Sequence, residues 1–76
     1  MAANVPSISR HGRQRMEQRG VTLADIASAL VRPIGRALPG DGGNLILDGY
    51  ASEGRVLRVI LTADQGTVVT VMWREG

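Results

Sequence analysis

The hydrophobic pattern of the chain changes its period at Pro33. Before Pro33, apolar residues such as Leu23, Ile26 and Leu30 recur at helical spacing. After it, apolar residues alternate along short runs rich in β-branched side chains, a pattern typical of strands with one buried face. Proline ends a helix because it has no amide hydrogen to donate. We therefore predict an α+β domain in which two N-terminal helices pack on a four-stranded, mainly antiparallel sheet, in the order ααββββ.

Both helices carry signals for where they begin and end. Ser9 is suited to cap the first helix, and Gly20 is suited to end it in a left-handed conformation. Thr22 is suited to cap the second helix, and Asp25, three residues later, completes a weak form of the capping box. We expect residues 1–8, which precede the first helix, to be flexible.

The four predicted strands lie within residues 34–38, 44–50, 55–63 and 67–75. A three-residue loop joins the last two strands and sets the register between them. The pairs predicted on their apolar face are Ala63–Thr67, Leu61–Val69, Val59–Val71 and Leu57–Trp73. In this register Val68 falls on the opposite face, together with Arg58, Thr70 and Arg74.

The composition fits one small globular domain over residues 1–76. Of these 76 residues, 43% are hydrophobic and 21% are charged, as in folded rather than disordered chains. Cysteine is absent, which excludes disulfides, thiolate metal sites and cysteine nucleophiles. No apolar run approaches the roughly 20 residues of a membrane span, and no secretory signal pattern is present. We expect a cytoplasmic protein, either resident there or delivered into the cytoplasm of a target cell.

Positive charge is concentrated near the N-terminus. Residues 1–20 hold four arginines and one acidic residue, whereas residues 21–76 hold five arginines and six acidic residues. Guanidinium groups bind phosphate bidentately and stay protonated near neutral pH. The clustering therefore predicts a localised anionic partner, first of all nucleic acid. The absence of lysine also fits a GC-rich genome, which does not explain the clustering.

A histidine and two arginines form one stripe on the first predicted helix. His11, Arg15 and Arg19 follow each other at four-residue spacing and project from the same side. Gly12, beside them, is the residue of this helix that suits a helix interior least. The stripe fits RNA cleavage by 2′-OH attack, because that reaction needs a base, an acid and cations around the phosphorane.

No metal or other cofactor is predicted. The chain has neither a carboxylate cluster nor a histidine spacing typical of a metal site. Asp41 and Asp48 are interpreted as turn carboxylates, because aspartate is common in turns for structural reasons.

The segment SRHGRQRMEQRGVT and the final strand VVTVMWR carry a resemblance to known proteins. A His-x-x-x-Arg-Met-x-x-Arg-Gly-Val/Ile helix, a second helix and a β-meander resemble an uncharacterised bacterial family of small domains. That family is similar in layout to RelE-type toxins and to the barnase–EndoU–colicin–RelE group of metal-independent ribonucleases. The resemblance covers roughly residues 8–75. It implies an endoribonuclease toxin that cleaves mRNA or tRNA and is neutralised by a cognate antitoxin or immunity protein.

The resemblance and the arginine pattern together predict two sets of site residues. The catalytic set is His11, Arg15, Arg19 and Thr70. The RNA-binding set is Arg10, Arg13, Arg58, Arg74 and Trp73. Each has a structural alternative. The histidine could be a surface or capping residue, the helix arginines could form a solvated face, and the tryptophan could pack in the core.

A second hypothesis is a non-catalytic module that binds RNA or the partner protein of a toxin–antitoxin pair. Geometry discriminates between the two. If His11 lies beside Arg15 and a strand arginine in one cleft, the enzyme is favoured. If His11 faces bulk solvent alone, the binding module is favoured.

Overall fold

The computed structural model describes residues 6–74 and has the predicted α+β class. In chain order its elements are β1 (Ser7–Ile8), α1 (Arg10–Arg19), α2 (Leu23–Val31), β2 (Leu38–Pro39), a 3₁₀ turn (Asp41–Gly43), β3 (Leu45–Tyr50), β4 (Val56–Leu61) and β5 (Thr67–Trp73). The strands form one sheet of five, not four, in the order β1-β5-β4-β3-β2. The sheet is mixed, because β1 pairs with β5 in parallel while the other neighbours are antiparallel.

Strand β1 is the element that the sequence pattern does not predict. Ser7 pairs with Thr67, and Ile8 pairs with Val68. Two residues are too few to show a period, so only the completed sheet reveals this strand. Of the segment expected to be flexible, residues 1–8, positions 1–5 lie outside the described residues, and Ser7 and Ile8 are paired in β1. The last residue of the strand predicted over 67–75 also lies outside the described residues.

Both helices begin and end where their caps predict. The Ser9 hydroxyl accepts a hydrogen bond from the amide of Gly12 at 2.9 Å, and Gly20 is left-handed with φ of 65°. In the second helix the Thr22 hydroxyl accepts from the amide of Asp25, and the Asp25 carboxylate accepts from the amide of Thr22. The capping box is therefore complete.

The two helices cover one face of the sheet and bury the core there. Helix α1 packs on β5, and α2 packs on β3 and β4. The buried apolar residues are Val21, Ile26, Ala29, Ala51, Leu57, Val59, Leu61, Val68 and Val71. They include no aromatic side chain, as expected for a chain with one tryptophan, one tyrosine and no phenylalanine.

A bulge corrects the predicted register of the last hairpin. The predicted pairs Leu57–Trp73 and Val59–Val71 are present. Leu61, however, pairs with Val68 rather than Val69, because the ladder shifts between Ile60 and Leu61. A bulge adds one residue to one strand and so reverses which face the next residues occupy. Val68 therefore lies in the core and is fully buried, whereas the simple register placed it on the opposite face.

Two glycines let the helices lie unusually close to the sheet. A Cβ atom on Gly12, which is buried in α1, would lie 2.9 Å from the carbonyl oxygen of Val68. A Cβ atom on Gly49, in β3, would overlap the backbone carbonyl of Ala29 in α2. The glycine that suits the helix least therefore lies where the start of α1 approaches the backbone of β5 closely.

Candidate nucleic-acid interface

The exposed surface of α1 carries a concentrated positive charge. Arg10, His11 and Arg13 are exposed, and Arg15 is half-buried. The helix holds four arginines and one acidic residue, Glu17. Within residues 6–74, the salt bridges involve Asp48 alone and no arginine of α1. This helix therefore presents a formal charge of +3 that no carboxylate partner neutralises in the described structure.

His11 and Arg15 lie one turn apart on the same side of α1. Among the described residues, no hydrogen bond to the His11 side chain is found, and the imidazole faces solvent. Arg15 donates from Nη1 to Oε1 of Gln18 at 2.6 Å, a contact within the helix. Both side chains are free to contact a ligand that lies along α1.

Arg19 and Trp73 join the end of α1 to the part of β5 that β1 does not cover. The Nη1 group of Arg19 donates to the carbonyl of Val71 at 2.7 Å. The indole Nε1 of Trp73 donates to the carbonyl of Arg19 at 2.6 Å. The guanidinium of Arg55 lies 4.0 Å from the centre of the indole ring. The polar groups of Arg19 and Trp73 thus serve the packing of α1.

Arg58, Thr70 and Arg74 lie on the face of the sheet that the helices leave open. Arg58 pairs bidentately with Asp48, at 2.9 and 3.2 Å, and Arg74 contacts the same carboxylate at 2.8 Å. Thr70 stands opposite Ile60 on this face. Asp48 lies inside β3, so its assignment to a turn is wrong.

The two arginines determine the ionisation of Asp48. The hydrogen bond from Arg58 has the largest influence and lowers the pKa of Asp48. Burial raises this pKa, and the hydrogen bond from Arg74 lowers it. Together they leave the pKa of Asp48 below its ordinary value. The same contact raises the pKa of Arg58. Asp48 is therefore a carboxylate at neutral pH, and the cluster carries a formal charge of +1.

The structure separates the predicted site residues into two groups. His11 and Arg15 lie on α1, which packs on the helix-covered side of β5. Arg58 and Arg74 project from the opposite face, because side chains alternate along a strand. The arrangement that would favour an enzyme, with His11 and a strand arginine in one cleft, is not formed among the described residues.

Two open clefts flank the helices. The first, of about 360 Å³, is lined by Ile8, Arg13, Met16, Glu17, Val21 and Leu23. The second, of about 230 Å³, is lined by Gly20, Thr22, Asp25, Ala51, Ser52, Glu53, Arg55 and Trp73. Neither cleft is lined by His11, Arg58 or Arg74. Of the predicted site residues, Arg13 lines the first of these clefts and Trp73 lines the second.

Ser52 is a polar partner that the sequence pattern does not reveal. Its amide donates to the Asp25 carboxylate at 3.3 Å, and its hydroxyl donates to the same oxygen. Burial raises the pKa of Asp25, but hydrogen bonds from Ser52 and Thr22 outweigh it, so the net pKa lies below the ordinary value. This carboxylate is fully partnered, which makes it a structural anchor between α2 and the β3–β4 turn.

Comparison with known proteins finds a family but no characterised relative. A family model described as "Domain of unknown function (DUF4258)" matches residues 8–73, which include both helices and all strands from β2 to β5. No curated protein and no solved structure matches the chain. Within residues 6–74, no helix has the length and apolar character to cross a membrane, and no group of three acidic or histidine side chains is placed to hold a metal.

Proposed function

This chain belongs to the family described as "Domain of unknown function (DUF4258)", and we propose that its domain binds RNA through the exposed surface of α1. The main support is the difference between the arginines of the strands and the arginines of α1. Arg58 and Arg74 are held by Asp48, whereas the arginines of α1 have no carboxylate partner among the described residues. A dense, unneutralised charge on one helix is the electrostatic feature that attracts a phosphate backbone.

Three arginines of α1 are available for phosphate. Arg10 and Arg13 are exposed, and within residues 6–74 the Arg15 side chain hydrogen-bonds only to Gln18, a neutral side chain of the same helix. Arg19 is less available, because its guanidinium already donates to Val71. For single-stranded RNA, each neutralised phosphate contributes about −0.7 to the slope of log affinity against log salt. We therefore expect a slope of about −2 from three contacts.

Recognition on this surface is expected to depend on phosphate rather than on base identity. Aromatic residues make up 3% of the chain. Trp73 uses its indole N–H for Arg19, and Tyr50 lies under the guanidinium of Arg32, at 5.4 Å from the ring centre. Base-specific binding of single strands needs aromatic platforms that stack bases. Helix α1 holds no Phe, Tyr or Trp, and its one imidazole, His11, offers a single small ring, so its affinity should vary little among RNA sequences.

Removing the three available arginines of α1 should therefore weaken RNA binding strongly. We expect the combined change Arg10→Ala, Arg13→Ala and Arg15→Ala to lower affinity for labelled single-stranded RNA at least 30-fold at low salt. It should also reduce the salt slope from about −2 toward zero. Fluorescence anisotropy over a series of salt concentrations measures both quantities.

The matched control removes arginines from elsewhere on the surface. Arg32→Ala with Arg36→Ala changes exposed residues of the α2–β2 connection, and we expect affinity to stay within about 3-fold of wild type. If both sets of variants lose affinity equally, general charge rather than α1 determines binding. RNA binding by wild type without any salt dependence would also contradict the proposal.

A second candidate function, metal-independent endoribonuclease activity, is favoured by the position of His11. Its imidazole is exposed one helical turn from Arg15, so RNA along α1 would pass the type of side chain that most often serves as general acid or base. In this hypothesis the protein is a RelE-like toxin that cleaves mRNA or tRNA, with a cognate antitoxin or immunity protein as its partner. Arg58, Thr70 and Arg74 would not take part, because they lie on the other face of the sheet.

Cleavage and binding are tested separately with one histidine variant. If the protein is a ribonuclease, wild type cuts RNA in the presence of EDTA, and His11→Gln lowers the rate about 10²–10⁴-fold, as expected for loss of a general base. RNA affinity and the unfolding transition should stay close to wild type, because the imidazole faces solvent. Unchanged cleavage by the variant would remove His11 from the mechanism. No cleavage by wild type would reject the enzyme and leave the binding proposal standing.

A further inference from the structure

The face of the sheet opposite the helices, here called the open face, is unusually apolar for a solvated surface. Its members come from β2 to β5 and the residue after β5, and are Leu38, Ile46, Asp48, Tyr50, Val56, Arg58, Ile60, Thr70, Met72 and Arg74. A one-sided antiparallel sheet normally carries polar residues on its water-facing side. Here Ile46 and Ile60 pair with each other on the inner strands β3 and β4, and Met72 pairs with Arg58 from β5; all three are half-buried. Leu38, at the margin of the face, is 55% exposed. Apolar surface of this kind marks interaction sites.

A small ion cluster lies among these apolar residues. Asp48 is covered most, with 16% of its side chain exposed, while Arg58 and Arg74 are 30% and 49% exposed. One carboxylate between two guanidiniums leaves a formal charge of +1. Arg74 donates to Asp48 from Nη1 alone, and no hydrogen bond from its other side-chain nitrogens is found within the described residues.

The charge of this cluster restricts what can cover the open face. A surface that excludes water from Ile46 and Met72 also removes water from the neighbouring ion cluster. Burying a net charge without a partner is costly, so a stable cover has to supply one negative charge. A second copy of this chain would instead bring another +1 and repel the first. Nucleic acid fits poorly, because it presents many phosphates to a face whose remaining positions are apolar.

The width of the open face selects the kind of element that covers it. Strands β2 to β5 at about 4.8 Å spacing make a surface about 14 Å wide. A helix with its side chains has a diameter of about 10–12 Å and matches this width. We propose that the open face docks an amphipathic helix of a partner protein, with apolar side chains over Ile46, Ile60 and Met72 and a carboxylate at Arg74. The partner would complete a three-layer arrangement around the sheet.

This interaction does not depend on the proposed binding of RNA. The RNA surface lies on α1, and the open face lies on the other side of the sheet, so both surfaces can be occupied together. A negative result in one experiment does not affect the other proposal, because RNA affinity is tested with variants of α1 and helix docking is tested with variants of the ion cluster.

The test uses three synthetic helical peptides of about 18 residues, which is long enough to cross the face. All three carry one stripe of leucines, with a single central Glu, Gln or Lys within that stripe. Each is titrated into isotope-labelled protein and followed by amide chemical shifts. We expect shifts confined to β3, β4 and β5, and affinity about 10-fold higher for the Glu peptide than for the Gln peptide, with the Lys peptide weakest.

The Arg74→Met variant makes the charge argument specific. It leaves the Asp48–Arg58 pair and a neutral cluster, so the Glu and Gln peptides should bind it within about 2-fold of each other. Arg13→Met on α1 should preserve the preference for Glu. Equal binding of all three peptides to wild type, shifts centred on α1, or no binding at millimolar peptide would each overturn the proposal. Concentration-dependent shifts of the same amides without peptide would show that a second copy covers the face, and would overturn it as well.

Discussion

Replacing Gly49 with alanine is expected to disrupt the packing of α2 on the sheet and to cost about 3 kcal/mol or more of unfolding free energy. Gly49 is buried in the middle of the α2 contact, and an added Cβ would lie 2.7 Å from the carbonyl carbon and 2.8 Å from the Cα of Ala29. These are backbone atoms of a helix, so no rotamer change relieves the overlap. Small domains have only about 0.05–0.15 kcal/mol of stability per residue. For 76 residues this amounts to about 4–11 kcal/mol, so a loss of this size removes a large part of the stability.

Neither side of the Gly49 contact can withdraw easily. The segment after α2 is hydrogen-bonded to β3 on both sides of the glycine. The amide of Ile34 donates to the carbonyl of Asp48 at 2.7 Å, and the amide of Tyr50 donates to the carbonyl of Arg32 at 3.1 Å. Moving α2 away would also open the core around Ile26 and Ala29, which are fully buried. The clash is thus held in place by hydrogen bonds along the chain as well as by packing.

Urea unfolding followed by far-ultraviolet circular dichroism measures the effect of Gly49→Ala. Gly66→Ala is the matched control, because Gly66 is exposed and an added Cβ there would contact only the side chain of Asp64, at 3.1 Å. We expect the control to stay within about 1 kcal/mol of wild type. If Gly49→Ala also stayed within that range, α2 would have to be able to shift on the sheet, contrary to this packing.

Features set by neighbouring residues along the chain could be predicted from the sequence. The helix boundaries are examples, because Ser9, Gly20 and Thr22 act through hydrogen bonds or backbone angles within one or two turns. The strands β3 to β5 follow from alternation and β-branched side chains in the same way. Each of these signals is complete within a few residues and needs no knowledge of the rest of the fold.

Features that depend on contacts between distant segments could not be predicted. The bulge near Leu61 reverses Val68 toward the core, although alternation alone placed it outside. Of the first predicted strand, over residues 34–38, only Leu38 lies in a strand, because β2 covers Leu38–Pro39. Pairing with Arg58 and Arg74 explains why Asp48 is tolerated in the middle of β3, and no local pattern shows that the three will meet.

The candidate site illustrates the same limit. Spacing alone placed His11, Arg15 and Arg19 on one side of a helix, and all three lie on α1 as expected. Which of them is available to a ligand depends on a distant part of the chain. The carbonyl of Val71, 52 residues after Arg19, accepts a hydrogen bond from the Arg19 guanidinium. Sequence reasoning grouped the strand arginines with this helix. The sheet places them on opposite faces, which is why binding along α1 rather than a shared catalytic cleft is proposed here.

Gly12→Ala provides the second large effect, because local preference and packing predict opposite signs. Alanine is favoured over glycine inside a helix by about 1 kcal/mol, so α1 considered alone should gain stability. In the folded chain, however, the new Cβ would lie 2.9 Å from the carbonyl oxygen of Val68 and 3.1 Å from the side chain of Ile8. We expect packing to prevail and the variant to lose about 1–3 kcal/mol of unfolding free energy.

The clash at Gly12 would be transmitted along α1. The carbonyl of Val68 is held by the amide of Ser9 at 3.0 Å, so relief requires the start of α1 to move away from β5. That movement also strains the contact between Arg19 and Val71 at the far end of the helix. Hydrogen exchange of the Ser9 amide should therefore accelerate in Gly12→Ala, in addition to the loss of stability in urea unfolding.

Gln14→Ala is the control for Gly12→Ala, because it adds a strong helix former to an exposed position of the same helix. We expect it to change stability by no more than about 0.5 kcal/mol and to leave exchange of the Ser9 amide unaltered. A Gly12→Ala protein more stable than wild type would show that α1 is free to lift from β5. The arginines and His11 would then have no fixed position relative to the sheet, and the RNA-binding surface proposed on α1 would have no fixed place in the fold.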